Sequence, residues 1–530
     1  MKKNLIYILV LLTLSLVVFF FKLGSLPLFD PDEPRYAGTA SEMMESKDWI
    51  NPQFNGEDRW DKPVLFYWFI AGAYQLFGIS EWSARFPSAL FGLLSLFLVF
   101  FWAWKNNQKE RGFLAALILG TSVEFCIVGR LSITDMSLSF FKSLALVIAF
   151  ESWRRSQSQY ILFTYILCAI AFLIKGPVGL VLPAMIFFIF LAVTKNLKFL
   201  KNCRVITGLI VFVAVGLPWY IAECLLHKGF FEYFFIFHNV KRFATEELRH
   251  TQPFIYYFGV VAVGFFPWCV FIPRTFKRAI RDYWKDPFSC FLIVWVVVEF
   301  LFFSFSKAKL ATYILSIFLP LSLLVAQFFE DELKVEKKLG VRIESIFLSV
   351  VFIGLVGLGG WVWLNRFPED LSSFLAVSLP ILFGFLGMAI ASFYGGVRWV
   401  FRLVSGFALL GFVLFVQLLA PKIGESSSIK ELARPIRLFQ KRPERIISSG
   451  FFKPSLVFYL KPKIERVDDV IELKSLIHNS SNIIFFMKET FYFSLSGDPI
   501  FKEIILLKRF RGKVVVTNLK SRQFNPFEKS

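Results

Sequence analysis

The sequence predicts a polytopic α-helical membrane protein that ends in a small soluble α/β domain. Three observations predict it. Hydrophobic residues make up 56% of the 530 positions, 69 of them Phe, against roughly 45–50% in a soluble domain, and the mean hydropathy is +0.60. Thirteen apolar runs, each near the roughly 20 residues needed to cross hydrocarbon, occupy the chain up to residue 420. From 421 onward the runs shorten and alternate between strand-like and helix-like patterns. This composition excludes a soluble globular enzyme and a disordered chain.

The first run, 4–21, follows Lys2 and Lys3. A cleavable signal peptide is the competing reading, but Phe19-Phe20-Phe21 offers no small-residue cleavage site, so the run reads as an uncleaved first span. The others centre on 82–104, 112–129, 135–150, 159–174, 177–194, 205–222, 254–273, 288–305, 309–327, 343–364, 372–393 and 398–420. Lys and Arg in the short connections orient them. With the N-terminus inside, segments 1–3, 105–111, 151–159, 195–204, 274–287, 328–342 and 394–402 hold 22 Lys/Arg. The short outside connections 129–135, 174–177, 305–309 and 365–371 hold 5. An odd number of spans then puts the C-terminus outside, which in a bacterial inner membrane is the periplasm.

Two long loops, 22–81 and 223–253, fall on the same outer side. The first carries ten carboxylates among Trp, Tyr, Phe and Pro, a composition unlike disorder and a length that usually marks function. Residues 1–420 thus form the membrane domain with these two loops, and 421–530 the soluble periplasmic α/β domain. In the latter, Arg445–Phe452, Asn482–Met487, Glu503–Phe510 and Lys513–Thr517 read as strands, and Ser428–Gln440 and Asp469–His478 as helices. This domain holds 21 Lys/Arg and 11 Asp/Glu, half of the chain's net +20. Scattered solvated charge is the simple account of that excess; docking on anionic membrane lipid is the functional one. Nucleic acid is excluded as a partner for an outside domain. Six dispersed cysteines without CxxC spacing give no thiolate metal site, and no Walker A motif supplies nucleotide chemistry.

The residues that can carry chemistry lie at span ends. Asp30-Pro31-Asp32-Glu33-Pro34-Arg35-Tyr36 combines acids and an early proline, as at a helix N-terminus. Trp60-Asp61-Lys62-Pro63 sets a cation beside a carboxylate; an ion pair with an interfacial aromatic belt is its simple account. Asp135 opens the fourth span, as an N-cap residue would. Lys175-Gly176-Pro177 makes a turn between the fifth and sixth spans, and Lys307 and Lys309 precede Thr312-Tyr313. Each has an ordinary structural explanation, yet the topology puts all of them on one side of the membrane. Carboxylates with several cations there suit an acceptor to be activated beside a phosphate to be held.

The ordered series Asp32-Glu33-Pro34-Arg35-Tyr36-Ala37, Asp48-Trp49 and Asp61-Lys62-Pro63-Val64-Leu65-Phe66-Tyr67-Trp68 resembles the first periplasmic loop of the aminoarabinose transferase (ArnT) and protein O-mannosyltransferase superfamily. The resemblance continues at Arg130, Asp135, Lys175-Gly176-Pro177, Pro218-Trp219-Tyr220, His238 to Arg242, His250 to Tyr257, Pro267-Trp268 and Lys309-Leu310-Ala311-Thr312-Tyr313. It implies a GT-C fold of about 13 transmembrane helices and a glycosyltransferase using a polyprenyl (undecaprenyl) phosphate sugar donor. By the same resemblance Asp32, with Glu33 beside it, and Asp135 are the catalytic acids. Lys62, Arg35 and Tyr313, with Lys175, Lys309 and Arg242, form the set that binds the lipid phosphate and donor. Asp61 and His250 match positions that hold a divalent metal, Zn or Mg, in such enzymes, although the family pattern has Glu where Asp61 stands.

The implied reaction is an inverting single displacement that moves an aminoarabinose-like sugar or a uronic acid to lipid A, either without a metal or weakly assisted by one. Two other readings stay open: protein O-mannosylation, and a transporter or flippase for a polyprenyl lipid. The last requires ionisable groups at the bilayer midplane.

Overall fold

The computed structural model describes residues 2–241, 251–335, 341–394, 396–427, 429–437, 445–460, 463–479, 482–499, 501, 504–510 and 512–518. It divides into two compact units. The first comprises Met1–Leu23, Trp60–Gly78 and Trp82–Pro421; the second comprises Gly24–Arg59, Ile79–Glu81 and Lys422–Ser530.

The first unit is helical. Among the described residues, eight helices are long and apolar enough to cross a membrane, or ten if each of two bent pairs is one span. The sequence predicts 13, and three local causes account for the difference. Segments 159–174 and 177–194 fold as Ile161–Lys175 and Val178–Val193, of 15 and 16 residues, about 22–24 Å at 1.5 Å per residue. Segment 112–129 breaks into Lys109–Gly120 and Val123–Val128. There Thr121 and Ser122 hydroxyls donate to Leu117 O (2.6 Å) and Ile118 O (2.7 Å), side-chain back-bonding of a kind that bends helices. Segments 205–222 and 254–273 fall on the bent pairs: Leu197–Cys203 with Val205–Gly216 at 54°, and Tyr256–Gly264 with Trp268–Arg281 at 115°. Pro267, which cannot continue a helical hydrogen-bond ladder, stands at the second break.

Ala311–Lys334 is the central element of this unit, with 89% of its apolar window buried, whereas Arg342–Arg366 has 17% buried. An apolar exterior suits lipid, and lipid removes the hydrophobic drive between helices, so shape-matched packing must hold the interior. The Phe content serves this: Phe150 stacks on Phe291 at 4.9 Å and Trp102 meets Phe288 at 4.8 Å.

The second unit is built on a five-stranded sheet. Its strands are β3 Arg445–Ser449, β4 Ile464–Arg466, β5 Ile483–Lys488, β6 Ile505–Phe510 and β7 Lys513–Thr517, in the order β4-β3-β5-β7-β6. The hairpin strands β1 Gln53–Phe54 and β2 Glu57–Asp58 precede them in the chain. β3 runs parallel to β4 and β5, and β7 is antiparallel to β5 and β6. Parallel neighbours need crossovers, supplied by helices Pro454–Leu460 and Val470–Asn479. Alternation along the strands sorts the core into two faces: Ile446, Ile484, Phe486 and Val515 pack with Leu456, and Ile447, Phe485, Val514 and Val516 pack with Leu473.

Gly24–Arg59 belongs to this second unit, whereas the sequence placed it with the membrane region. Asp30 accepts the Ser455 backbone N–H at 2.9 Å and its hydroxyl at 2.5 Å, and the Leu28 N–H donates to the Tyr459 hydroxyl at 2.9 Å. The β1–β2 turn is Asn55-Gly56, both with positive φ (61° and 69°), the preferred chemistry of a two-residue hairpin. Glu42 accepts both turn N–H groups, at 2.6 and 3.1 Å. Burial pushes the Glu42 carboxyl above its ordinary pKa, and these two backbone donors oppose the shift. The Asn55 amide then exchanges two hydrogen bonds with Ile464 of β4, at 2.9 and 2.8 Å. Asn55→Ala removes both and leaves a buried backbone pair unmet, at a cost of about 2 kcal/mol. Hydrogen exchange at the Ile464 amide should accelerate about 30-fold; unchanged exchange would show that the hairpin is held elsewhere.

Candidate active site

Helix dipoles explain the centre of the site in the first unit. Asp135 lies in the first turn of Thr134–Arg154, and Lys175 closes Ile161–Lys175, where Gly176 at φ 82° ends the helix. Acids are favoured at N-termini and cations at C-termini. The two helices pack together, and the short connection between them makes them antiparallel neighbours, so the start of one meets the end of the other. Lys175 Nζ donates to Asp135 Oδ1 at 2.6 Å, with side chains 13% and 10% exposed. The same ammonium lies 4.5 Å from the Tyr313 ring centroid, a cation–π distance. Tyr313 is half-buried on the 3₁₀ helix Ala311–Ile317. The structure therefore brings together three residues far apart in the chain.

Lys309 braces the turn that leads to Tyr313. Its buried ammonium donates to Gln252 O at 2.8 Å and Ser306 O at 2.5 Å. Burial, and then the neighbouring Lys307, lower its pKa. The Tyr257 hydroxyl donates to Leu310 O at 3.1 Å. Lys309 is thus engaged by backbone carbonyls, a role its position in the sequence did not disclose.

Lys62 and Asp61 are half-buried just before helix Leu65–Phe77. The Tyr233 hydroxyl donates to Asp61 Oδ1 at 2.8 Å, and His238 Nε2 lies 3.9 Å from the same oxygen. Trp60 packs beside them against His227, Phe230 and Tyr233. Arg242 and His250 lie outside the described residues. Among the described residues no group of three or more His, Cys, Asp or Glu side chains is placed to hold a metal ion.

In the second unit, Asp32, Glu33 and Arg35 occupy the first turn of helix Asp32–Ser46. Glu33 is buried and accepts the Phe29 N–H at 2.9 Å, so it ties down the chain entering the helix. Asp32 is exposed and Arg35 half-buried. The Asp-Glu pair thus divides its work: one acid turned into the fold, the other left open.

Three ionisable groups of the first unit escaped the sequence reading. Glu124, in the first turn of Val123–Val128, lies within electrostatic range of Asp135, and Gly264 makes room for it, since a Cβ there would meet its carboxylate. Lys142 and Glu299 form a fully buried ion pair at 2.5 Å. The signal that could have found all three was available: an ionisable residue inside an apolar span is expensive and therefore purposeful.

Residues 61–221, which include Asp61, Lys62, Asp135 and Lys175, match the family model described as dolichyl-phosphate-mannose-protein mannosyltransferase. The undecaprenyl phosphate-alpha-4-amino-4-deoxy-L-arabinose arabinosyl transferase of Aeromonas salmonicida is 32% identical over 393 residues, 71% of this chain and 70% of that protein. The enzyme of the same name from Pectobacterium atrosepticum is 31% identical over 425 residues, 77% of this chain and 74% of that protein. The crystal structure of ArnT from Cupriavidus metallidurans bound to undecaprenyl phosphate superposes with a TM-score of 0.84 at 21% identity, over 97% of this chain and 98% of that one, and shows the shared fold. With this sequence identity maintained over more than two thirds of each relative, the chain belongs to the undecaprenyl phosphate-aminoarabinose arabinosyl transferase (ArnT) family of integral-membrane glycosyltransferases.

Proposed function

We propose that this protein moves a sugar of the aminoarabinose kind from undecaprenyl phosphate to lipid A at the periplasmic face of a bacterial inner membrane. Its N-terminus would be cytoplasmic and residues 421–530 periplasmic. The observation that carries the reading is the Asp135–Lys175–Tyr313 cluster at helix ends, combined with relatives named for this transfer.

The reaction is a single displacement. An acceptor oxygen attacks the anomeric carbon, the bond from that carbon to the phosphate oxygen breaks, and its electron pair leaves on the lipid phosphate with inversion. Lys62, Lys175 and Tyr313, all of the first unit, stabilise the charge that grows there. Lys309 acts by holding the turn that carries Tyr313. By the family resemblance Asp32 orients the acceptor or takes its proton, with Glu33 holding the helix start. Where the acceptor is a lipid A phosphate it is already anionic, and Asp32 mainly positions it.

Lys142 and Glu299 are charges inside apolar spans of the kind a transporter would use, but they are paired with each other at 1% and 0% exposure. Enzyme is therefore favoured over flippase. The match over residues 61–221 favours protein O-mannosylation as the second reading. Mass spectrometry of lipid A from cells with and without the gene separates them. The proposal expects lipid A species carrying one added aminopentose only when the gene is present. An unchanged lipid A spectrum with altered protein glycosylation would move the acceptor to protein.

A further inference from the structure

We infer that Lys142, Glu299 and Ser316 form a positioning network that sets Tyr313 against Lys175 and Asp135, and so shapes the pocket for the lipid phosphate. The inference rests on reading Lys175 and Tyr313 as phosphate-facing groups.

The contacts form a closed ring. Lys142 follows Asp135 by seven residues on the same helix, which returns it to the same face about 10 Å further along. Its ammonium donates to Glu299 Oε1 at 2.5 Å, on helix Pro287–Phe305. The Trp295 indole N–H donates to Glu299 Oε2 at 3.1 Å, and the Ser316 hydroxyl donates to Glu299 Oε1. Ser316 lies three residues after Tyr313 in a 3₁₀ helix, where positions i and i+3 eclipse. Phe303, one turn beyond Glu299, closes the ring: its centroid is 5.5 Å from that of Tyr313 and 6.0 Å from Lys142 Nζ. Lys142 is also within electrostatic reach of Lys175 and Asp135.

One carboxylate therefore joins the helix that bears Asp135 to the turn that bears Tyr313. Adhesion does not require it, because well-packed apolar residues hold helices as well as a buried ion pair does. What the ion pair adds is direction: three donors on one carboxylate fix the relative height and rotation of the elements. A displacement of about 1 Å at such a site can lower the rate about 100-fold.

The test uses the purified full-length protein, with binding of undecaprenyl phosphate measured directly and donor KM and kcat measured alongside. The double variant Lys142→Met/Glu299→Leu removes both charges and keeps the volume. It should melt no lower than wild type, yet bind undecaprenyl phosphate at least tenfold more weakly, with donor KM rising in parallel. Ser316→Ala should weaken binding about threefold, and Ser316→Thr, which keeps the hydroxyl, should restore it. A folded double variant that binds within twofold of wild type overturns the network. If the double variant does not fold, equal binding by Ser316→Ala and wild type overturns it. Tyr313→Leu separates the two levels. Undiminished binding there overturns the phosphate reading and this inference with it; weakened binding there with an unaffected double variant overturns the network alone.

Discussion

Asp32→Asn should lower sugar transfer by about 10²–10⁴-fold, the range for loss of a positioned acid or base, while the second unit stays folded. Asp32 is exposed on the first turn of helix Asp32–Ser46. Removing its charge there forfeits a helix-dipole interaction of only about 0.3–1 kcal/mol. The buried neighbour Glu33 keeps its hold on the Phe29 N–H, and Asp30 keeps Ser455, so the local structure does not depend on Asp32. A cap and a catalytic acid therefore predict different experiments. A cap predicts a slight loss of stability and full activity. The catalytic role predicts the same slight loss of stability at most, together with a collapse of kcat. Wild-type transfer by purified Asp32→Asn would remove Asp32 from the mechanism.

Lys175→Met should have the second large effect, and on two observables. The ammonium is the partner of Asp135 at 2.6 Å and faces the Tyr313 ring. Its loss strands a carboxylate that is itself mostly buried, which costs about 3 kcal/mol when one member of such a pair is removed. It also withdraws a cation from the departing phosphate, for about 10²–10³ in kcat. Asp135→Asn in the same molecule separates the terms. The double variant no longer carries an unpaired charge and should recover most of the lost stability. It should not recover transfer, because the phosphate still lacks its cation. Recovery of both would make the pair structural.

Much of this arrangement could be read along the chain because it follows from local physics. Hydropathy over some 20 residues marks a span, Lys and Arg flank it, and a Gly-Pro after Lys175 ends one helix and begins the next. The same rules put Asp135 at a helix start and Lys175 at a helix end before any contact is known. Period-two alternation finds β3, β5, β6 and β7. β4 escapes because Ile464–Arg466 is three residues long, too short to display a period.

What could not be read is pairing across distance. Residues 24–59 lie between apolar runs, and nothing local shows that Asp30 meets Ser455 or Asn55 meets Ile464, contacts that span more than 400 residues. Glu33 and Asp32 look equivalent as text; the fold buries one and leaves the other open. Lys142 and Glu299 each stand as a lone charge in an oily segment, 157 residues apart. The chain alone thus settles its class, the rough number of its helices and the end of each helix at which an acid or a base belongs, because those depend on interactions within a few residues. Which helix end faces which, and which charge is neutralised by which, come from three-dimensional packing. A buried charge is tolerable only where the folded chain brings it a partner, and that partner has no fixed sequence separation.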